Sequence, residues 1–149
     1  MKRYISVHTG EIMAADKDSV LHSDANKACL VIVAYDPQKK IGGLAHAMFF
    51  SNGSVRKQDF TMTRDASGAI DEMIDDMMVL GADMENIEVC LVTGENVPHE
   101  ENDPEYYKHI TDTIRLLEEK NIRYKKMTAK DVGNMHVGLD VETGVVSYD

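Results

Sequence analysis

The stretch Leu30-Val31-Ile32-Val33-Ala34-Tyr35 is almost continuously apolar and rich in β-branched residues. A strand with one face in water alternates apolar and polar residues, whereas a strand covered on both faces does not need to. The stretch therefore predicts a strand at residues 30–35 that is buried on both faces. A strand of this kind requires one layer of structure above it and another below it.

A hairpin is predicted to follow this strand. Asp36-Pro37-Gln38-Lys39 carries proline at the second position, which type I turns favour, and residues 41–50 then return as a second strand. The return strand begins with Gly42-Gly43, a candidate site for a β-bulge.

The hairpin register decides which side chains meet. If the loop comprises residues 36–39, Tyr35 pairs with Lys40, and counting back along both strands places Cys29 opposite His46. Directly opposed residues of an antiparallel pair share one face, with Cβ atoms about 4.5–5.5 Å apart. A bulge or a shift of one residue would separate them onto opposite faces.

Two helices are predicted from apolar periodicity. The first covers residues 67–80 and ends at Gly81, and its apolar positions follow helical spacing: Ile70, Met73, Ile74, Met77 and Met78. The second opens with Asp103 as N-cap and Pro104 at the first helical position, continues through Lys120 and ends at Asn121. We expect the methionines to pack in the core rather than to form a partner groove.

The remaining apolar runs complete the fold prediction. Residues 4–15 are interpreted as the start of a β-meander, and further strands are expected at residues 87–93, 124–128, 137–141 and 145–148. About eight strands and two main helices predict an α+β fold, a layered sandwich of mainly antiparallel or mixed sheet with the helices packed on it. Because there is no repeat or linker, the 149 residues are interpreted as one domain.

The composition excludes several classes of function. The chain has 16 Lys and Arg residues against 26 Asp and Glu residues, a net charge of −10, which disfavours binding to nucleic acid or anionic membranes. No stretch reaches the ~18 consecutive apolar residues of a membrane span, and residues 1–11 lack the apolar region of a secretion signal. We expect a cytoplasmic protein with no membrane insertion.

Cysteine and histidine on one hairpin indicate candidate nucleophilic chemistry. A histidine beside a cysteine can accept the thiol proton and stabilise the thiolate, which is the reactive form. A third group usually orients the imidazole, and Ser23 and Asp24 are the candidates for it. From the residues alone, a lone cysteine at the head of an apolar strand, such as Cys29, is more often a small core residue than a nucleophile.

The residues around this hairpin resemble the CheD family of chemoreceptor glutamine deamidases. The resemblance rests on Cys29, the strand to Tyr35-Asp36-Pro37, and Gly42-Gly43-Leu44-Ala45-His46, and it extends to Glu142-Thr143-Gly144-Val145 near the end. It implies that Cys29 is the nucleophile, that His46 is the general base, and that Ser23 stands at the place of a catalytic threonine. It further implies a cysteine-dependent hydrolase that deamidates glutamine, or demethylates methyl-glutamate, on chemoreceptor signalling domains, without a cofactor or a metal.

The chain departs from the family pattern in the loop before the nucleophile. Lys27-Ala28 replaces Gly-Ser and Ala25-Asn26 replaces Leu-Gly, while Asn134 stands where the family has a second glycine. These changes leave an alternative open, in which the chain is a catalytically inactive CheD-like module that binds and regulates a CheC-type phosphatase.

Two further residues receive simpler interpretations. Cys90, within the apolar run Val89-Cys90-Leu91-Val92, is expected to be a core thiol. His22 could join Cys29 and His46 at a zinc ion, but the sequence offers no fourth ligand at a recognisable spacing, so no metal site is predicted.

Overall fold

The computed structural model describes residues 2–8, 11–23, 29–48, 66–94, 104–129 and 136–148 of the chain. This described part contains nine strands and two α-helices, together with a 3₁₀ turn at Met84–Asn86. The strands are β1 (Arg3–Val7), β2 (Ile12–Ala15), β3 (Ser19–Ser23), β4 (Cys29–Asp36), β5 (Ile41–Met48), β6 (Glu88–Gly94), β7 (Arg123–Ala129), β8 (Val137–Asp140) and β9 (Val145–Tyr148). The helices are α1 (Ala66–Val79) and α2 (Pro104–Glu119).

The strands form two mixed sheets. The outer sheet has the order β1-β3-β8-β9, and the central sheet has the order β2-β5-β4-β6-β7. The β1–β3 and β6–β7 pairs are parallel, and the other neighbours are antiparallel. The predicted α+β layered sandwich is confirmed.

Two apolar cores separate three layers. The helix-side core lies between the central sheet and the helices and includes Ile32, Ala34, Ala45, Met73, Met77, Leu91 and Leu117. The intersheet core lies between the two sheets and includes Val7, Leu21, Val31, Val33, Leu44, Cys90, Val92 and Leu139. Successive β4 residues therefore enter opposite cores, and Val31 to Ala34 are at most 1% exposed. The prediction of a strand buried on both faces is confirmed.

The predicted hairpin register is wrong by one loop position. The turn occupies residues 37–40, Asp36 pairs with Ile41, and Lys40 adopts the left-handed conformation at φ 56°. The Asp36 carboxylate causes this placement, because its Oδ1 accepts the backbone N–H groups of Gln38 and Lys39 at 2.9 and 3.0 Å. Asp36 thereby becomes the last residue of β4 instead of the first residue of the loop.

The β-meander expected at residues 4–15 is also wrong. β1 belongs to the outer sheet and β2 to the central sheet, and β1 pairs in parallel with β3. The sequence prediction omitted β3 altogether. A parallel partner lies beyond an intervening strand, so short-range patterning carries no signal for it.

Both helices end within one residue of the predicted positions. At the end of α1, Ala82 N–H bonds to Met77 O and Gly81 N–H to Met78 O, each at 3.0 Å, and Gly81 has φ 114°. This is a Schellman arrangement, and α2 ends in the same way at Asn121, whose φ is 58°. Neither helix of the described chain is long and apolar enough to span a membrane.

The methionines of α1 are mainly core residues, as expected. Met73 and Met77 are fully buried on the central sheet, whereas Met78 is 46% exposed. The helix therefore uses its methionines to fill the helix-side core, and only one of the three lies at the surface in the described structure.

The glycine pair of β5 allows both neighbouring layers to approach the central sheet. A Cβ on Gly42 would lie 2.6 Å from Leu139 Cδ2 of the outer sheet, and one on Gly43 would lie 2.7 Å from Met73 Cγ of α1. Pairing with β4 continues through both residues, so the candidate bulge does not form at this pair. Instead, the absence of a Cβ at these two glycines allows the neighbouring layers to pack closely on the central sheet.

Gly42→Ala is expected to lower the free energy of unfolding by about 1–3 kcal/mol, because the new methyl group overpacks the intersheet core. The matched control is Gly138→Ala on β8, where a Cβ would meet the rotatable Ser147 hydroxyl at 3.0 Å. We expect the control to change stability by less than about 1 kcal/mol. Urea unfolding of both variants measures the difference, and equal losses would contradict the role assigned to Gly42.

Candidate active site at one end of the sandwich

Strand termini from both sheets meet at one end of the sandwich, here called the Ser23 end. The ladders place them there, since Val7 pairs with Ser23, Cys29 with Met48, and Gly94 with Ala129. β8 starts at the same end, because Val137 N–H bonds to Ser23 Oγ. Functional residues are commonly found where strand ends and their connections converge on a rigid scaffold.

His46 lies near this end on β5, the second strand of the central sheet. It pairs with Val31 of β4 on one side, and on the other side its N–H bonds to Glu11 O at 3.0 Å. The residue is 1% exposed. It shares a face of β5 with Leu44, a member of the intersheet core, so its ring lies between the two sheets.

Cys29 begins β4 and stands opposite Met48, so the predicted direct opposition of Cys29 and His46 is wrong. The actual register makes them diagonal neighbours, because Cys29 precedes Val31 by two residues and Val31 faces His46. Positions two apart on a strand belong to the same face, and diagonal positions are about 7–8 Å apart. The backbone thus places both positions on the intersheet face, at a separation that side chains can bridge; the Cys29 side chain lies outside the described residues.

Ser23 ends β3 in the outer sheet and is 1% exposed. Its Oγ accepts a hydrogen bond from Val137 N–H at 3.0 Å. β3 packs against β5 across the intersheet core, so Ser23 and His46 belong to facing layers at the same end of the sandwich. A serine oxygen has a second lone pair and one proton, and both stay available after this bond. The competing orienting residue, Asp24, lies outside the described residues.

His22 is turned away from this end of the intersheet core. Its Nε2 lies 3.3 Å from Ser6 Oγ on the solvent side of the outer sheet, while Ser23, the next residue, is buried on the inner side. His22 therefore does not join Cys29 and His46. Within the residues that the structure describes, no group of three or more metal-ligating side chains is present.

Cys90 is a core thiol, as predicted. It is 5% exposed in the intersheet core, at the β6 position opposite Val33. Burial raises the pKa of the Cys90 thiol, and the nearby Lys125 only partly opposes this shift. A thiol that resists ionisation is a poor nucleophile, which distinguishes Cys90 from an activated cysteine.

The buried carboxylate of Asp36 lies at the opposite end of the sandwich. Burial alone would raise its pKa, but hydrogen bonds from the N–H groups of Asp83, Lys39 and Gln38 and from the Asn86 side chain outweigh burial and lower it. Its Oδ2 accepts Asp83 N–H at 2.8 Å, which ties the hairpin turn to the segment after α1. Asp36 therefore has a structural role.

Two contributors to this end were missed by the sequence analysis. Val137 supplies the N–H that holds Ser23, and Glu11 supplies the carbonyl that holds the His46 backbone. Both act through main-chain atoms, which leave no trace in residue type. The strand β3 was missed because its residue types do not alternate between apolar and polar: two of its three buried positions, Ser19 and Ser23, are serines.

Comparison with known proteins identifies relatives over nearly the whole chain. No family model matches. The chain is 28% identical to the probable chemoreceptor glutamine deamidase CheD of Chlorobium luteolum, over 95% of this chain and 70% of the relative. It is 28% identical to the protein of the same name from Archaeoglobus fulgidus, over 92% and 79%, and 26% identical to that from Thermococcus kodakarensis, over 95% and 89%.

These relatives support assignment of the chain to the CheD family. The predicted resemblance is thereby confirmed. The CheD-like chain carries cysteine, histidine and serine at the positions that the resemblance singled out, and its described fold places all three at the Ser23 end.

Two solved structures share the fold of this CheD-like chain. They are Neisseria meningitidis protein NMB0706, a DUF152 protein, at TM-score 0.52 and 10% identity, and Bacillus licheniformis hypothetical protein YfiH, at TM-score 0.50 and 16% identity. The matches cover 87% and 80% of this chain but only 64% and 50% of those proteins. The chain thus spans less than two thirds of either structure, and the likeness concerns the fold alone.

Proposed function

We propose that the chain is a cysteine-dependent hydrolase that deamidates glutamine side chains on chemoreceptor signalling domains. The observation that carries the proposal is the β4–β5 register, which puts the Cys29 and His46 positions on one face as diagonal neighbours. The names of the relatives support the substrate class. Methyl-glutamate esters are a second substrate of the same chemistry, because the acyl group is identical and only the leaving group differs.

The proposed reaction proceeds in two acyl-transfer stages. The Cys29 thiol gives its proton to His46, and the thiolate sulfur attacks the carboxamide carbon of glutamine. The tetrahedral adduct collapses, the C–N bond breaks, and the imidazolium donates its proton to the departing ammonia. Water then adds to the thioester with His46 as base, and release of the thiolate leaves glutamate. Overall, one carboxamide and one water give one carboxylate and one ammonium ion.

Ser23 is proposed to orient the imidazole of His46. The bond from Val137 N–H fixes the position of Ser23 Oγ and uses one of its lone pairs. The second lone pair can accept the N–H of the imidazole, and the other ring nitrogen then takes the thiol proton. The orienting contact is proposed for the reactive complex, since the bond that the structure gives Ser23 Oγ is the one from Val137 N–H.

Ser23→Ala is expected to lower kcat/KM for deamidation by about 10-fold to 100-fold. Without the Ser23 hydroxyl, the imidazole of His46 is no longer oriented toward the thiol in the reactive geometry. The substitution should also cost about 1–3 kcal/mol of stability, since Val137 N–H loses its acceptor. Ser23→Thr keeps the hydroxyl and should retain most of the activity. Ammonia release and thermal unfolding of both variants measure these effects, and a fully active Ser23→Ala would exclude the orienting role.

The inactive regulatory module is the alternative proposal. It is favoured by Lys27-Ala28, which replaces the Gly-Ser that the family carries directly before the nucleophile. Alkylation of the native protein, followed by intact mass, separates the two functions. If the chain is a hydrolase, the reagent should alkylate Cys29 rapidly near neutral pH. If it is a binding module that partners a CheC-type phosphatase, Cys29 should react as slowly as an ordinary thiol.

A further inference from the structure

The backbone of His46 is held by a turn that joins the two sheets. The chain leaves the outer sheet at Val7 and enters the central sheet at Ile12, and between these residues Glu11 N–H bonds to His8 O at 2.8 Å. The carbonyl of Glu11 then accepts the His46 N–H at 3.0 Å. This turn therefore lies beside the candidate base, on the side of β5 away from β4.

The Glu11 side chain closes the same turn. Its Oε1 accepts the backbone N–H of His8 at 2.8 Å, so Glu11 is linked to His8 both through its own N–H and through its carboxylate. Hydrogen bonds to an ionised acceptor are stronger than those between neutral groups. The Glu11 carboxylate thus holds the backbone of Glu11 in place, and the Glu11 carbonyl in turn holds the backbone of His46.

The placement of the His46 backbone affects the contact with Cys29 more strongly than it would if the two residues were directly opposed. Because Cys29 and His46 are diagonal neighbours, their side chains must bridge backbone positions about 7–8 Å apart. A small displacement of the His46 backbone moves the imidazole away from the sulfur, and a misplacement of about 1 Å can cost two orders of magnitude in rate.

We propose that Glu11 is a positioning residue for His46, acting through its carbonyl and through the turn that its carboxylate closes. This inference rests on the proposed function, since it assumes that His46 activates Cys29. It assigns the carboxylate a role at the site without contact with the substrate.

The test uses thiol reactivity instead of turnover. In a Cys90→Ala background, so that only Cys29 can react, iodoacetamide alkylation is followed by intact mass across a range of pH. We expect Glu11→Ala to slow alkylation at neutral pH about 10-fold and to raise the apparent pKa of the reacting thiol. Glu11→Gln keeps an acceptor oxygen for His8 N–H and should react within about 2-fold of the parent protein.

Two controls separate positioning from general damage. Glu88→Ala removes an exposed carboxylate at the far end of the central sheet, where it pairs with Arg123, and should not change alkylation. Amide exchange at His46 should accelerate in Glu11→Ala, because the backbone bond to residue 11 is loosened. Thermal unfolding confirms that each variant is folded.

The outcomes distinguish the inference from the function on which it rests. His46→Gln sets the alkylation rate without the base. If His46→Gln reacts like the parent protein, His46 does not activate Cys29, and the proposed function and the inference both fail. If His46→Gln is slow but Glu11→Ala is fast, or if Glu11→Gln is as slow as Glu11→Ala, the positioning role alone is overturned.

Discussion

Cys29→Ala should reduce ammonia release from a chemoreceptor signalling fragment to the uncatalysed background, a loss of at least about 10³-fold. The reason is chemical: the thioester cannot form without the sulfur, and His46 alone offers only base catalysis of water attack. The assay measures ammonia together with the mass change of the fragment when NH₂ is replaced by OH.

The matched control for this experiment is the second cysteine. Cys90→Ala removes a thiol from the same face of the central sheet, where burial keeps the thiol protonated, and it should leave deamidation essentially unchanged. His46→Gln should lower kcat by about 10²–10⁴-fold, the usual contribution of a general base. Conversion that persists in Cys29→Ala would eliminate the thioester mechanism.

Asp36→Ala is expected to lower the free energy of unfolding by about 2–4 kcal/mol. The carboxylate is fully buried and accepts the N–H groups of Gln38, Lys39 and Asp83, so its removal leaves these three backbone donors without their acceptor. Asp36→Asn should cost less, because one oxygen is retained. Denaturant unfolding at pH 7 measures both variants, with Asp75→Asn on the exposed face of α1 as a control.

The same carboxylate should make stability depend on pH in the acid range. Its pKa in the folded protein is lowered below 3.8, so its contribution is complete well above that value and is lost as the pH falls through the folded pKa. The difference in unfolding free energy between the parent protein and Asp36→Asn should therefore shrink below about pH 4. A difference that stays constant down to pH 2 would show that ionisation of Asp36 does not stabilise the fold.

Helix ends and the buried strand could be predicted because their causes are local. A left-handed residue ends each helix, and Gly81 and Asn121 are residue types that tolerate this conformation. The continuous apolar run of β4 likewise indicates that both faces of the strand are buried, because it contains no polar residues that could face solvent. These signals lie within a few residues of the structure that they specify.

The parallel partner of β1 could not be predicted in this way. β1 joins β3 across an intervening strand of the other sheet, and this pairing depends on how the two sheets stack. Ser23 falls in no predicted strand, whereas the structure buries it at the end of β3, where its Oγ accepts a hydrogen bond from Val137 N–H.

The sequence by itself determined the residue types of the candidate site and the order of β4 and β5, because a short turn between two apolar strands permits only a hairpin. Tertiary structure decided the register. Asp36 is drawn into β4 by hydrogen bonds that include Asp83 N–H, 47 residues away, and the loop moves by one residue. Each cross-strand partner then shifts by two, an even number, which makes Cys29 and His46 diagonal neighbours yet keeps both on the intersheet face.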